Sequence, residues 1–185
     1  MRLERPRIEP LPEAEWSEEQ RKLIQPMKDR WGFVFNVLQT MIRNMPLFLA
    51  WSPLGTHLMD TSALSPRHRE LLILRVAWRT RSEYEWGQHV VMSQSVGLSP
   101  EDFERIKSGP DAEGWEVFDA TLLRATDELL DDTMLSDEVW SALANRLSDE
   151  QMTDLIFTVG HYKMLAMALN SLGVQRDPNV PGFSD

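Results

Sequence analysis

The sequence predicts an all-α fold, and three observations support this prediction. Ser17, Ser82 and Ser148 each begin the Ser-x-x-Glu/Gln form of a helix capping box. Gly97 and Gly173 follow apolar segments at the positions where left-handed C-caps fall. No segment alternates apolar and polar residues with a period of two, and the chain has no Asn-Gly or Asp-Gly hairpin turn.

The helices can be placed in chain order from these signals. Further helices begin where a proline follows Ser65 and Ser99, because the first helical position needs no backbone N–H. Another begins at Ser136, where the following acidic residues suit the positive end of the helix dipole. The predicted helices cover residues 17–31, 35–43, 46–60, 66–79, 83–96, 100–107, 114–131, 137–146 and 149–172.

The length of 185 residues fits one compact domain with terminal extensions. We expect residues 1–16 to form an extended N-terminal arm, residues 17–175 a single domain, and residues 176–185 a C-terminal tail. The segments 71–78 and 155–169 are apolar on nearly every side, which is typical of central helices. Such helices in a small domain often bury one face in another subunit, so we expect a homo-oligomer. A dimer is the smallest assembly expected, and a trimer or hexamer is also compatible with the sequence.

Composition excludes several classes of function. The net charge of −10 argues against general binding to nucleic acid. The chain has no cysteine, which excludes disulfides, thiolate metal ligands and thiol-based redox chemistry. The N-terminal residues lack the apolar region of a secretory signal, and no apolar run reaches the roughly 20 residues of a membrane span. We therefore expect a cytoplasmic protein with no membrane association.

Glu85 and His89 are the candidate catalytic pair. They are four residues apart on one predicted helix, so their side chains share a face. A carboxylate beside an imidazole can fix its tautomer and raise its basicity, as proton transfer requires. Glu70 lies on the preceding apolar helix, where a carboxylate is costly to bury without a partner. The pattern also fits a solvated helix face, or a capping box in which Glu85 pairs with Ser82.

Three stretches of the sequence resemble the carboxymuconolactone decarboxylase family of the alkyl hydroperoxidase D (AhpD)-like superfamily. They are residues 64–75, 84–89 and 97–99, and similarity continues at 122–129 and 160–174. The peroxidase branch of that superfamily has the pattern Glu, eleven residues, Cys, two, Cys, three, His. The same spacing here is Glu70, Ser82, Glu85 and His89. Peroxide reduction by thiol–disulfide exchange is therefore excluded.

The resemblance implies an AhpD-like helical bundle and a decarboxylase that uses neither metal nor organic cofactor. Its substrate would be a small carboxylated lactone or another product of aromatic-compound catabolism. In this hypothesis His89 is the proton donor or shuttle, Glu85 orients and charges it, and Glu70 is a second carboxylate that holds the site.

Arg81, Trp86 and Ser82 are the expected substrate-binding residues, with Arg81 attracting the acid and Trp86 forming a wall. The other histidines have no zincin spacing and are expected to be ordinary core or surface residues. Four alternatives remain open: a proton-transfer isomerase, a non-thiol oxidoreductase, a metal-dependent oxidoreductase, and a non-catalytic oligomeric protein that binds a small molecule.

Overall fold

Every regular element among the described residues is helical. The computed structural model describes residues 3–184, so Met1, Arg2 and Asp185, at the ends of the predicted arm and tail, lie outside the described residues. Nine α-helices follow one another within that range. They are α1 Glu18–Trp31, α2 Asn36–Met41, α3 Met45–Thr56, α4 Pro66–Arg79, α5 Glu83–Ser93, α6 Pro100–Ser108, α7 Val117–Asp131, α8 Asp137–Ala144 and α9 Asp149–Leu172. The predicted all-α fold with eight or nine helices is confirmed.

Helix α4 is the centre of the structure. Every residue from Glu70 to Ala77 is buried, as its continuous apolar sequence predicts. The helix begins with Ser65, whose side chain accepts a hydrogen bond from the His68 N–H, and with Pro66 at the first position. Helices α5, α7 and α9 pack around α4. The polar side chains of this stretch, Glu70 and Arg75, are therefore held away from water.

Helix α9 packs one face against α4 and leaves part of the other exposed. It begins with the capping box of Ser148 and Gln151 and ends at Gly173, which has a left-handed φ of 72°. Phe157, Met164 and Met167 lie on its exposed side. Within residues 3–184, neither α9 nor any other helix combines the length and the apolar character needed to cross a bilayer.

Local capping signals predict some helix starts and fail at one. Capping boxes form at Ser17 and Ser148, where each serine side chain accepts from the backbone N–H three residues ahead. The capping box predicted at Ser82 is wrong, because this residue has a ψ of 84° and its side chain makes no cap hydrogen bond. The acid that would have completed this box is therefore free for another role.

Several helix boundaries differ from the prediction, and for two of them the local backbone shows the reason. Helix α3 ends at Thr56, earlier than expected, and a π-helical turn, His57–Thr61, continues it. Helix α7 begins at Val117, later than expected, because Gly114 has a φ of 91°, which no right-handed helix contains. Both differences arise from backbone conformations that periodicity does not reveal.

Both ends of the described chain fold back onto the helices. The Arg7 N–H donates to the Leu172 carbonyl at the end of α9, at 2.8 Å. At the other end, the Phe183 ring packs against Trp78 and Trp86. The C-terminal segment therefore covers one side of α5.

Candidate active site

A small cavity lies beside α5, between that helix, α9 and the start of α2. Its volume is about 150 Å³, comparable to a cavity that holds one benzene ring. Its polar lining residues are Tyr84, Glu85, Gln88, His89 and Tyr162, and the remaining lining is apolar. A second hollow of about 640 Å³, between α1, α2 and the C-terminal segment, contains none of the predicted site residues.

His89 and Glu70 form a buried hydrogen-bonded pair between α5 and α4. His89 Nδ1 lies 2.7 Å from Glu70 Oε2, and the two residues are 7% and 1% exposed. Burial by itself would raise the pKa of Glu70, but His89 and then Arg69 outweigh it and hold that pKa below its ordinary value. Glu70 is therefore a carboxylate that accepts a hydrogen bond from the Nδ1–H of His89. The other ring nitrogen, Nε2, is then the one available to a molecule bound in the cavity.

Glu85 is a carboxyl group with no hydrogen-bond partner in the described chain. The residue is 2% exposed, and both of its carboxyl oxygens are buried and unpaired. Burial raises its pKa well above the ordinary value, and the nearby Ser82 hydroxyl offsets only part of this effect. The surroundings of Glu85 therefore favour its protonated, neutral form. The expected pairing with His89 is wrong, because the imidazole partner is Glu70.

Tyr162 is a site residue for which the sequence gives no motif. It reaches the cavity from α9, and its ring stands edge-on to the His89 ring, with centroids 5.1 Å apart. Its hydroxyl donates to Met59 Sδ at 2.8 Å. Burial raises the pKa of Tyr162 well above its ordinary value, and the charges of Glu70 and Glu85 add to this effect. The hydroxyl therefore stays protonated.

The three residues expected to bind substrate lie outside the cavity lining. Arg81 is exposed in the turn before α5 and has a φ of 53°. Trp86 is buried, with its ring 5.7 Å from that of Trp78 and 5.8 Å from that of Phe183. Ser82 is buried at the start of α5, next to the cavity residue Glu85, and its hydroxyl has no hydrogen-bond partner in the described chain.

Two arginines of α4, Arg75 and Arg79, are engaged in ion pairs. Arg75 and Arg79 both contact Asp127, with N–O distances of 2.7 Å and 2.6 Å. Arg75 also donates to the Ile106 carbonyl at 2.6 Å. These contacts join α4 to α6 and α7, so both arginines stabilise the bundle.

The remaining histidines lie outside the cavity lining. His57 contacts Asp154 at 3.0 Å, and the His68 ring packs against an aromatic ring of α7. His161 stacks on Trp51, and burial lowers its pKa to about 4. Among residues 3–184, no three His, Asp or Glu side chains are grouped as a metal-ion site.

Comparison with known proteins finds a family similarity in the part of the chain that holds the Glu–His face. The model described as "Carboxymuconolactone decarboxylase family" matches residues 46–128, which include Glu70, Glu85 and His89. This segment is similar to that family. The resemblance inferred from the sequence motif is thereby confirmed. No curated protein matches the chain.

Solved structures share the fold of nearly the whole chain. An AhpD-core, peroxidase-related protein from Ralstonia eutropha JMP134 has a TM-score of 0.81 and 18% identity, over 92% of each chain. A peroxidase-related protein from Silicibacter sp. TM1040 has a TM-score of 0.79 and 18% identity, over 96% of this chain and 92% of that one. The debrominase Bmp8, in complex with 2,3,4-tribromopyrrole, has a TM-score of 0.76 and 13% identity, over 92% and 91%. At these identities the likeness establishes an AhpD-like fold.

Proposed function

We propose that the chain is a cofactor-independent lyase that decarboxylates a small carboxylated lactone or a related acid of aromatic degradation. The observation that supports it most is the buried, unpaired Glu85 carboxyl at the wall of an apolar cavity that His89, the partner of Glu70, also lines. Decarboxylation requires a proton delivered to carbon and surroundings that do not stabilise the departing carboxylate. A protonated acid, in a lining without lysine or arginine, suits both requirements.

The proposed reaction has two steps. In the first, the bond to the carboxylate breaks, CO2 leaves, and the electron pair moves through the conjugated system onto a carbonyl oxygen. In the second, Glu85 donates its proton to the carbon, and the electron pair returns to form the new C–H bond. His89 then takes up a proton from solvent at Nε2 and passes it to Glu85, while Glu70 holds the ring by Nδ1. The sum consumes one carboxylate and one proton and releases one CO2.

The size of the cavity supports a substrate with one small ring. About 150 Å³ accommodates a benzene-sized molecule, and the ten lining residues present mainly apolar surface to it. The debrominase with the similar fold is bound to a single five-membered ring, 2,3,4-tribromopyrrole. A compact, planar acid therefore fits the site better than an extended or branched one.

The test is a screen of small lactone acids and ring carboxylates in D2O, followed by mass spectrometry. We expect wild type to release CO2 and leave one deuterium on the carbon that carried it. Glu85→Gln and His89→Gln should each reduce turnover by about 10²-fold or more, as loss of positioned acid–base groups does. Glu113→Gln and His68→Gln are the matched controls, because both residues lie outside the cavity lining.

The same screen separates the alternatives. Deuterium uptake without CO2 release indicates a proton-transfer isomerase that uses the same residues. Turnover that requires added metal, or that changes the oxidation level of the substrate, indicates an oxidoreductase. Binding without turnover in wild type and in every variant shows that the lyase proposal is wrong and that the chain is a binding protein.

We also propose that the protein is a cytoplasmic homo-oligomer that associates through α9. Phe157, Met164 and Met167 are 55%, 46% and 58% exposed and share one face of the helix. A grouped apolar surface of this kind is typical of a protein contact. Met164→Glu should lower the mass measured by light scattering, and a monomeric wild type would contradict the proposal. Cell fractionation tests the location.

A further inference from the structure

We propose that the Tyr162 hydroxyl is the hydrogen-bond donor that stabilises the enolate oxygen of the reacting acid. This inference rests on the proposed lyase activity and assigns a third polar group to its cavity. Glu85 supplies the proton and His89 replaces it, but neither role accounts for the negative charge that develops on the substrate oxygen. Tyr84 and Gln88 are also donors in the described lining, but each donates to Asp177 Oδ2 at 2.6 Å. Tyr162 is therefore the donor with the weakest present partner.

The position of Tyr162 places its hydroxyl among the catalytic groups. The residue is 4% exposed, and its ring meets the His89 ring at an angle of 88°. Tyr162 lines the same cavity as Glu85 and His89. Helix α9, which carries Tyr162, packs on both α4 and α5. The packing of these three helices therefore holds the Tyr162 side chain in place.

The present partner of the hydroxyl is a poor acceptor. The hydrogen bond to Met59 Sδ is the one contact of this kind made by Tyr162 in the described chain, and a thioether sulfur accepts only weakly. Met59 lies in the π-helical turn after α3, and Arg69 donates to its carbonyl at 2.6 Å. Such turns are frequent at functional sites. The hydroxyl can therefore exchange its weak hydrogen bond to sulfur for a stronger one to a substrate oxygen at little energetic cost.

This arrangement favours the transition state over the bound substrate. While CO2 leaves, negative charge accumulates on the carbonyl oxygen, and the hydroxyl turns from Sδ to that oxygen without giving up its proton. When carbon is protonated, the charge disappears and the hydroxyl returns to Met59. An interaction that strengthens only as charge develops raises kcat more than it lowers KM.

The test uses binding as well as turnover, so that it does not depend on the substrate being known. The probe is 4-nitrophenol at about pH 8, where it is an anionic oxygen on a single ring, and 4-nitrotoluene is the control without that oxygen. Tyr162→Phe keeps the ring and removes only the hydroxyl. It should weaken binding of the phenolate about 10- to 100-fold, as loss of one hydrogen bond to a charged group does, and leave 4-nitrotoluene binding within about twofold.

A second variant separates this role from a structural one. Met59→Leu removes the sulfur and should bind the phenolate at least as tightly as wild type. Equal phenolate binding by wild type and Tyr162→Phe, or a Met59→Leu variant weakened as much as Tyr162→Phe, overturns the assignment. With a substrate from the screen, Tyr162→Phe should lower kcat about 10²- to 10³-fold and change KM little. Loss of phenolate binding in Tyr162→Phe, in a protein that decarboxylates nothing, would refute the lyase and retain the oxyanion-binding role.

Discussion

Replacing Glu85 by glutamine should make the stability of the protein less sensitive to rising pH. In the folded state the carboxyl is buried, unpaired and protonated, whereas in the unfolded chain it ionises around 4.5. Below that pH both states hold the proton and the group contributes no pH dependence. Above it the unfolded state releases the proton, so the free energy of unfolding of wild type falls as pH rises.

The size of the effect follows from this linkage. While Glu85 stays protonated in the folded state, each pH unit lowers the wild-type free energy of unfolding by about 1.4 kcal/mol. Between about pH 5.5 and about pH 7.5 the wild type should therefore lose about 2.7 kcal/mol relative to Glu85→Gln. The glutamine amide has its own desolvation cost, but that cost does not depend on pH and cancels in the difference. Other titrating groups are common to both proteins.

The measurement is urea unfolding at a series of pH values, followed by tryptophan fluorescence at one fixed protein concentration. A constant slope against urea would show that both proteins unfold from comparable states. Glu113→Gln is the control, because this glutamate is exposed in the loop between α6 and α7 and should give a curve parallel to wild type. If the curves of wild type and Glu85→Gln are also parallel, Glu85 is ionised in the folded protein and cannot be the acid that protonates the substrate carbon.

Three further substitutions test the packing around the site. Gly87→Ala should lower the melting temperature and expose the C-terminal segment to protease, because the new methyl group would overlap the Pro181 carbonyl oxygen; Gly160→Ala, with open space around it, should be neutral or slightly stabilising. As pH falls from 6.5 to about 4, His161 takes up a proton in the unfolded state but stays neutral in the folded state, so the free energy of unfolding of wild type falls by roughly 2–3 kcal/mol. In urea titrations His161→Phe should lose less stability over this range, and equal losses would contradict the lowered pKa. Arg75→Met should destabilise by about 1–3 kcal/mol in urea unfolding, because the half-buried Asp127 keeps Arg79 but loses Arg75 and two carbonyls lose their donor; a change below about 0.5 kcal/mol would show that the Arg75 contacts are dispensable.

The helices could be predicted from the sequence because their signals are local. The capping boxes at Ser17 and Ser148 need only residues within one turn, and both form. The Ser82 box fails because the turn from α4 to α5 is tight: Arg81 has a positive φ, and the Ser82 N–H donates to the Ala77 carbonyl at 2.8 Å. That geometry depends on how the two helices pack, which a four-residue motif does not encode.

The site could be predicted only where residues share one helix. The spacing of Glu85 and His89 correctly places both at the same cavity. The partner of His89 depends on the crossing of α4 over α5, so spacing alone could not choose Glu70 over Glu85. Tyr162 comes from α9 and has no motif around it, and only the packing of that helix brings it to the imidazole.

The two positions that correspond to the cysteines of the peroxidase branch explain why Glu85 is an acid. In the described chain, the Ser82 hydroxyl and both Glu85 oxygens are buried without hydrogen-bond partners. Such surroundings suit thiols, which bond weakly and tolerate apolar neighbours. A hydroxyl or carboxyl in the same place lacks partners at a cost of about 1–3 kcal/mol each. Because a carboxyl avoids the greater cost of a buried charge by keeping its proton, the same apolar environment produces a proton donor at the cavity wall. Glu85→Gln should therefore gain stability relative to wild type as pH rises and yet lose most of its activity, a combination that a structural glutamate would not give.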